Sequence, residues 1–161
     1  MLKNIFTGLL SGVLAAFLPA CDGVNLGKLK PGFSTMAEVR EIMGAPAMEW
    51  QDADGSQTWE YPRTPQGMAN YMIDFRPDKV LREVRQVLTE ENFARVKAGM
   101  SKSDIRRLLG QPAHDLYFSL KKEAVWDWKI KAEPGMDQYF NVHFNEAGMV
   151  LRSSSNLDAK G

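Results

Sequence analysis

The chain has 161 residues, of which 20 are basic and 20 are acidic, and its formal net charge at pH 7 is zero. This balance gives neither a basic field for nucleic acid nor a polybasic arm for a membrane surface. The length beyond the first 20 residues suits two small domains of roughly 65 residues each, which are marginal alone and are therefore expected to dock on each other.

Residues 1–20 are typical of a signal peptide. An apolar run over residues 5–18 is shorter than the about 20 residues that span a membrane. It ends in Leu-Pro-Ala-Cys at 18–21, which resembles a bacterial lipobox, and Cys21 is the only cysteine. We predict that Cys21 is acylated and that residues 21–25 form a lipid-anchored tether. Acylation would leave no thiol for a disulfide, a redox couple or a metal. The alternative is an ordinary signal peptide before an unmodified cysteine.

The rest of the chain contains one pattern twice, from residue 26 to about 84 and from 93 to about 154. A period of about 67 residues is too long for a solenoid unit and indicates two similar small domains. The identical pairs in the alignment are Lys30/Lys97, Gly32/Gly99, Arg40/Arg106, Gly44/Gly110, Pro46/Pro112, Ala47/Ala113, Trp59/Trp126, Phe75/Phe144, Val80/Val150, Leu81/Leu151 and Arg82/Arg152.

Each copy is predicted to open with two short helices. The first carries two apolar residues three positions apart, as in Leu26 and Leu29 or Phe93 and Val96. The second begins at a capping box and ends at a glycine that a proline follows. These capping boxes and terminal glycines are Thr35-x-x-Glu38 with Gly44, and Ser101-x-x-Asp104 with Gly110.

The hydrophobic period then changes to two, which is typical of half-buried strands. The alternating apolar positions are Trp59 and Tyr61, Tyr71, Ile73 and Phe75, Trp126, Trp128 and Ile130, and Phe140, Val142 and Phe144. We predict an α+β fold of two tandem repeats, 26–88 and 89–158. Each has two short helices packed on a four-stranded antiparallel sheet, whose other face is polar and open. Residues 159–161 are predicted to be a tail.

These motifs resemble the SmpA/OmlA domain of BamE, a small lipoprotein of the outer-membrane β-barrel assembly machinery. The second copy matches at Gly99-Met100-Ser101, Ile105, Leu108-Leu109-Gly110-x-Pro112, Trp126-x-Trp128, Val142-x-Phe144 and Gly148-x-Val150. The first copy matches at Gly32-Phe33, Val39, Met43-Gly44-x-Pro46, Trp59-x-Tyr61 and Phe75. The resemblance implies two helices on a small antiparallel sheet in each copy.

The same resemblance implies a non-enzymatic scaffold, anchored in the envelope of a Gram-negative bacterium and facing the periplasm. Its implied partners are envelope proteins, first among them subunits of the β-barrel assembly machinery. BamE itself has one such domain, so a paralogue is an alternative. The outer membrane is favoured; Asp22 after the cysteine is associated with inner-membrane retention in enteric bacteria, which keeps the inner membrane open.

Two other functions stay open. The β-lactamase inhibitor protein is similar in arrangement, since it places two such units in tandem and binds an enzyme with its open sheet faces. An inhibitor-like module is therefore one alternative, and a structural lipoprotein that contacts lipid or peptidoglycan is the other.

No catalytic residue, cofactor or metal site is predicted. A zinc site would need both histidines, His114 and His143, together with carboxylates, and no phosphate-binding glycine loop or Ser-His-Asp signature is present. The candidate interaction surface combines charges near the first helix of each copy with polar residues of the open sheet faces. Its predicted members are Lys28, Lys30, Lys97, Thr58, Glu60, Asp127, Lys129, Asn141 and His143.

Overall fold

The computed structural model describes residues 21–159. The predicted signal peptide, residues 1–20, lies outside the described residues. Ala159, predicted to begin a tail, belongs to a strand, and the rest of that predicted tail, residues 160–161, also lies outside the described residues.

The described residues form two sheets, each of four antiparallel strands, with a few short helices. This agrees with the prediction of two tandem α+β repeats. The first repeat contains α1 (Cys21–Lys28), α2 (Met36–Met43), β1 (Met48–Gln51), β2 (Gln57–Pro62), β3 (Asn70–Phe75) and β4 (Leu81–Gln86). The second contains α3 (Glu90–Ala94), α4 (Lys102–Leu109), β5 (His114–Phe118), β6 (Glu123–Glu133), β7 (Met136–Phe144) and β8 (Val150–Ala159). Within each sheet the strands are adjacent in chain order.

The predicted capping boxes begin α2 and α4. Thr35 Oγ1 accepts a hydrogen bond from the Glu38 backbone N–H, and the Glu38 carboxylate accepts one from the Thr35 N–H at 2.7 Å. Ser101 and Asp104 make the same pair of bonds before α4. Both bonds satisfy N–H groups that have no partner inside the helix.

Residues 21–25, which we predicted to form a tether, are helical and belong to α1. The helix that carries Leu26 to the first core therefore includes the predicted anchor residue Cys21.

Each repeat has its own apolar core between its helices and one face of its sheet. In the first, Val39 of α2 packs with Trp59 and Phe75, whose ring centroids lie 4.8 Å apart. In the second, Ile105 and Leu109 of α4 pack with the corresponding pair, Trp126 and Phe144, whose centroids lie 5.1 Å apart. The aromatic residues that alternate with charged ones in the sequence, Trp59 and Tyr61 in the first repeat and Trp126 and Trp128 in the second, therefore face the core of their own repeat.

In the last strand of each repeat, the residues at equivalent positions in the two structures differ by one residue from the pairs in the sequence alignment. Phe75 pairs with Leu81 across β3 and β4, whereas Phe144 pairs with Val150 across β7 and β8. The loop before the second helix fixes the same register, because Gly32 N–H bonds to the Leu81 carbonyl and Gly99 N–H to that of Val150. Leu81, not Val80, is therefore the structural equivalent of Val150.

Candidate functional site: the outer faces of the two sheets

The outer face of the first sheet is not open. By the outer face of a sheet we mean the side turned away from the helices of its own repeat. On the first sheet it carries Thr58, Glu60, Met72 and Asp74, which alternate with core residues. Glu60 and Met72 are 0% exposed and Asp74 is 1% exposed. The prediction that Glu60 lies on an open surface is therefore wrong.

Glu60 is buried because the end of α4 contacts it. Arg106 Nε donates to both Glu60 carboxylate oxygens, at 2.9 and 3.2 Å, and the Gln111 backbone N–H donates to one of them. Burial raises the pKa of Glu60, and the hydrogen bond and charge of Arg106 oppose that rise. An isolated buried carboxylate is strongly unfavourable, so the guanidinium and the carboxylate depend on each other.

The first repeat also forms hydrogen bonds with the turn that follows α4. The Asn70 side-chain amide donates to the carbonyls of Leu109 and Gln111, at 2.9 and 2.8 Å, and Thr64 Oγ1 donates to that of Gln111 at 2.9 Å. Carbonyls at the end of a helix have no partner inside it; here side chains of the first repeat supply the donors. Asn70 is 0% exposed, so these bonds are shielded from water.

Gly110 permits this close approach. Its φ is +75°, and a Cβ built there would lie 2.8 Å from Nδ2 of Asn70 and 3.0 Å from its Cβ. Both the left-handed backbone and the lack of space favour glycine. We call the contact of Glu60, Thr64 and Asn70 with Arg106, Gly110 and Gln111 the junction.

Arg107 lies at the rim of the junction. Its Nη1 is 3.0 Å from Asp52 Oδ1, and its guanidinium is 5.6 Å from the centroid of the Trp50 ring. Both charged side chains are 42% exposed, so this ion pair contributes little to stability. The contact with Trp50 extends the junction to β1, so the second repeat contacts three strands of the first sheet, β1, β2 and β3.

The outer face of the second sheet holds the corresponding residues without such a cover. Strand register makes Asp127 the equivalent of Glu60, and Asn141 the equivalent of Met72. Asp127 Oδ1 lies 2.9 Å from Nδ1 of His114, whose side chain is 50% exposed. Burial raises the pKa of Asp127, and the hydrogen bond to His114 opposes this. The two predicted residues Asp127 and Asn141 therefore share one sheet face, but they are only 8% and 9% exposed, so the prediction that they lie on an open surface is wrong.

His143 lies on the same face within a polar network. Its Nδ1 is 3.2 Å from Glu123 Oε2 and its Nε2 is 2.9 Å from Ser154 Oγ. Arg152 donates to both Glu123 oxygens at 3.0 Å and holds the pKa of Glu123 down to about 2, with a smaller contribution from His143. Burial lowers the pKa of His143.

A cavity of about 370 Å³ lies over this face. Leu116 and Phe118, which are each 47% exposed, and Val125 form its apolar part. Its polar part consists of Lys121, Glu123, Asp127, Asn141, His143, Ser154, Asn156 and Asp158. Among residues 21–159, only residues of the second repeat line this cavity.

The other predicted surface residues are dispersed. Lys28, Lys30 and Lys97 are exposed near the first helix of each repeat, away from the junction contacts. Lys129 forms an ion pair with Asp137 at 2.6 Å, and Thr58 donates to Asp74 at 2.7 Å. The structure therefore brings together Asp127, Asn141 and His143, whereas Glu60 belongs to the junction.

Within the described part of the chain, no group of three or more His, Cys, Asp or Glu side chains is placed to hold a metal ion. None of the helices between residues 21 and 159 has the length and apolar character needed to cross a membrane.

A family model described as the outer membrane protein assembly factor BamE domain matches the chain twice, at residues 22–85 and 86–154. The chain belongs to the BamE domain family. The first BamE domain spans α1 to β4, and the second spans α3 to the middle of β8. The two matches confirm the resemblance seen in the sequence and its tandem arrangement.

Other comparisons add nothing to this assignment. A search of curated proteins found no significant match. Among solved structures, the chain is similar to a DUF4309 family protein, YjgB, from Bacillus subtilis, with 15% identity over 83% of each chain and a TM-score of 0.30. A likeness of that size supports no conclusion about fold or function.

Proposed function

We propose that this chain is a non-enzymatic envelope lipoprotein that acts as a scaffold in the assembly of outer-membrane β-barrel proteins, or is a paralogue of such a factor. The observation that carries the proposal is the double match to the BamE domain over residues 22–154. The lipobox resemblance supports it, since Cys21 directly precedes the first matched residue. The partners would be envelope proteins, with β-barrel assembly subunits first among them.

The proposal includes acylation of Cys21. A single acyl chain holds a protein at a membrane only marginally, whereas several chains make its release negligible. In the producing bacterium, Cys21→Ser should accumulate as a precursor that is neither cleaved at this site nor acylated. Asp22→Ser is the matched control: it should be processed normally, and any move between the two membranes would assign a sorting role to Asp22. Normal processing and membrane retention of Cys21→Ser would contradict the anchor.

Crosslinking in intact envelopes, followed by purification of the lipidated chain, tests the scaffold role. The proposal expects identified β-barrel assembly subunits among the crosslinked proteins, and expects them to be lost from a sample of Cys21→Ser. Recovery of a single enzyme would favour the inhibitor-like alternative, and recovery of lipid or peptidoglycan without protein would favour the structural alternative.

The inhibitor-like alternative has less support from the fold. It was based on two open sheet faces, and the second repeat covers the face that contains Glu60. Among the described residues, that leaves the outer face of the second sheet as the sheet surface available to a partner.

A further inference from the structure

We propose that the outer face of the second sheet binds the end of a helix in a partner protein, which brings a basic side chain to Asp127 and a neighbouring side chain over Leu116 and Phe118. This inference rests on the proposed function as a protein-binding scaffold, and it specifies the surface and the chemistry of the partner.

The junction shows that the outer face of one of these sheets can bind the end of a helix. The outer face of the first sheet already holds a helix end: Arg106 pairs with Glu60 at 2.9 Å, and Arg107 lies over Trp50. Two features of the face meet the arginines, a carboxylate on the second strand and a large apolar side chain on the edge strand beside it, while Thr64 and Asn70 donate to the carbonyls at the helix end.

The second sheet presents both features at the equivalent positions. Asp127 pairs with the first residue of β5, as Glu60 pairs with the first residue of β1. Two residues further along the edge strand, Leu116 stands where Trp50 stands in the first sheet. A carboxylate and an apolar edge residue are therefore present in the same relative positions.

The second face is not filled by a helix end. Leu116 and Phe118 are each 47% exposed, and the cavity of about 370 Å³ lies beside them and above Asp127. Asp127 itself is 8% exposed, compared with 0% for Glu60, so the exposed part of this face is its apolar edge. Exposed apolar side chains beside a carboxylate at the floor of a cavity suit a protein-binding surface, because a partner can cover the apolar groups and pair with the charge.

The charges of the cavity favour a basic partner. Its lining has three carboxylates, Glu123, Asp127 and Asp158, and one lysine, Lys121. Arg152 neutralises Glu123, and the half-exposed His114 lies beside Asp127, so the carboxylates that a basic partner would meet lie at the end that contains Asp127 and Asp158. A guanidinium brought there by a partner would form charge-assisted hydrogen bonds, as Arg106 does at Glu60.

A second copy of this chain fits less well. The equivalent helix in the first repeat, α2, has Glu41 where α4 has Arg107, and its Arg40, which aligns with Arg106, already contacts Glu49 and the Trp59 ring. It therefore lacks the second arginine of α4, and its remaining arginine is engaged within its own repeat. The partner that we propose is a different protein with a basic helix end.

A peptide with the sequence of residues 101–113 of this chain can serve as the probe. A peptide of this length is marginally helical in water, so its helix is stabilised by a hydrocarbon staple on the side away from the arginines. Binding of the fluorescent peptide to the full lipidated chain in detergent micelles is measured by anisotropy. We expect saturable binding that weakens at least tenfold when the peptide residue corresponding to Arg106 is glutamine, and equally when the protein carries Asp127→Asn.

Two further variants keep the test decisive. Leu116→Asn, at a position that is 47% exposed, should weaken binding about fivefold, which corresponds to about 1 kcal/mol. Glu146→Gln, in an exposed loop of the same repeat, should leave binding unchanged. All variants are compared at temperatures below their own unfolding transitions.

Three outcomes would overturn the proposal. The first is no saturable binding, or binding that Asp127→Asn and Leu116→Asn leave unchanged. The second is binding that responds to Glu60→Gln but not to Asp127→Asn, since the peptide would then replace α4 on the first sheet. The third is self-association of the chain that depends on Asp127, which would make a second copy the occupant. The scaffold role is judged separately, by the crosslinked subunits.

Discussion

The outer faces of the two sheets have related residues and different surroundings. Glu60 and Asp127 are equivalent carboxylates, yet Arg106 of the next repeat pairs with Glu60 while His114 of the same sheet pairs with Asp127. The first face is an internal interface and the second is a surface with a cavity. The alternation of apolar and polar residues along a strand therefore identifies the two faces of the sheet, but it does not show whether the polar face is exposed or covered by another part of the chain.

The ends of α2 and α4 show the same contrast. Gly44 and Gly110 both follow the helix with a positive φ, +81° and +75°. A Cβ at Gly44 would meet no atom within 4 Å, whereas one at Gly110 would meet Asn70. The end of α2 at Gly44 therefore makes no close contact with the other repeat, whereas the end of α4 at Gly110 is part of the junction. Substitutions at such equivalent positions test the difference between the repeats.

The largest effect is expected for Arg106→Ala. It leaves the buried Glu60 carboxylate without its guanidinium, so the free energy of unfolding should fall by about 3 kcal/mol. The matched change is Arg40→Ala, which removes an exposed ion pair with Glu49 and a cation–π contact with Trp59, and should cost about 1 kcal/mol. Urea unfolding followed by tryptophan fluorescence measures both. Equal losses for the two variants would show that the junction does not stabilise the fold.

A smaller effect is expected for the difference between Gly110→Ala and Gly44→Ala. The two glycines have nearly the same backbone, with φ of +75° and +81° and ψ of −167° and −169°, and alanine in that region costs about 1–3 kcal/mol at either position. At Gly110 the clash with Asn70 adds about 1–2 kcal/mol. Gly44→Ala carries only the backbone cost, because its surroundings are open. The difference in unfolding free energy between the two variants, measured by thermal unfolding, therefore gives the cost of the clash between the methyl group added at position 110 and Asn70. A Gly110→Ala protein as stable as Gly44→Ala would mean that Asn70 does not lie against Gly110.

The smallest effect concerns acid stability. Arg152 holds the pKa of Glu123 down to about 2 from an ordinary value of 4.5. The folded state therefore gains stability from this carboxylate above about pH 4.5 and loses it as the pH falls toward 2. Glu123→Gln should reduce the slope of unfolding free energy against pH in that window, and Glu146→Gln controls for the loss of an exposed carboxylate. An unchanged slope in Glu123→Gln would contradict the network around His143.

The sequence predicted the features that depend on neighbouring residues. Capping boxes and alternating apolar residues each involve positions close in the chain, and the BamE motifs repeat them in order. The junction has no such signal, because Glu60 and Arg106 are 46 positions apart and both residue types are common on surfaces. The one-residue offset at Leu81 was missed for a related reason, since hydrogen bonds from the loop at Gly32 fix that register.

The central claim is that the second repeat lies on the outer face of the first sheet. The most direct measurement is the nuclear Overhauser effect between the Asn70 side-chain amide protons and the α protons of Gly110, in the folded full chain. We predict strong cross-peaks and slow exchange of that amide with water, because Asn70 is buried and donates to two carbonyls of the second repeat. Rapid exchange without cross-peaks to Gly110 would contradict the junction and the comparison that depends on it.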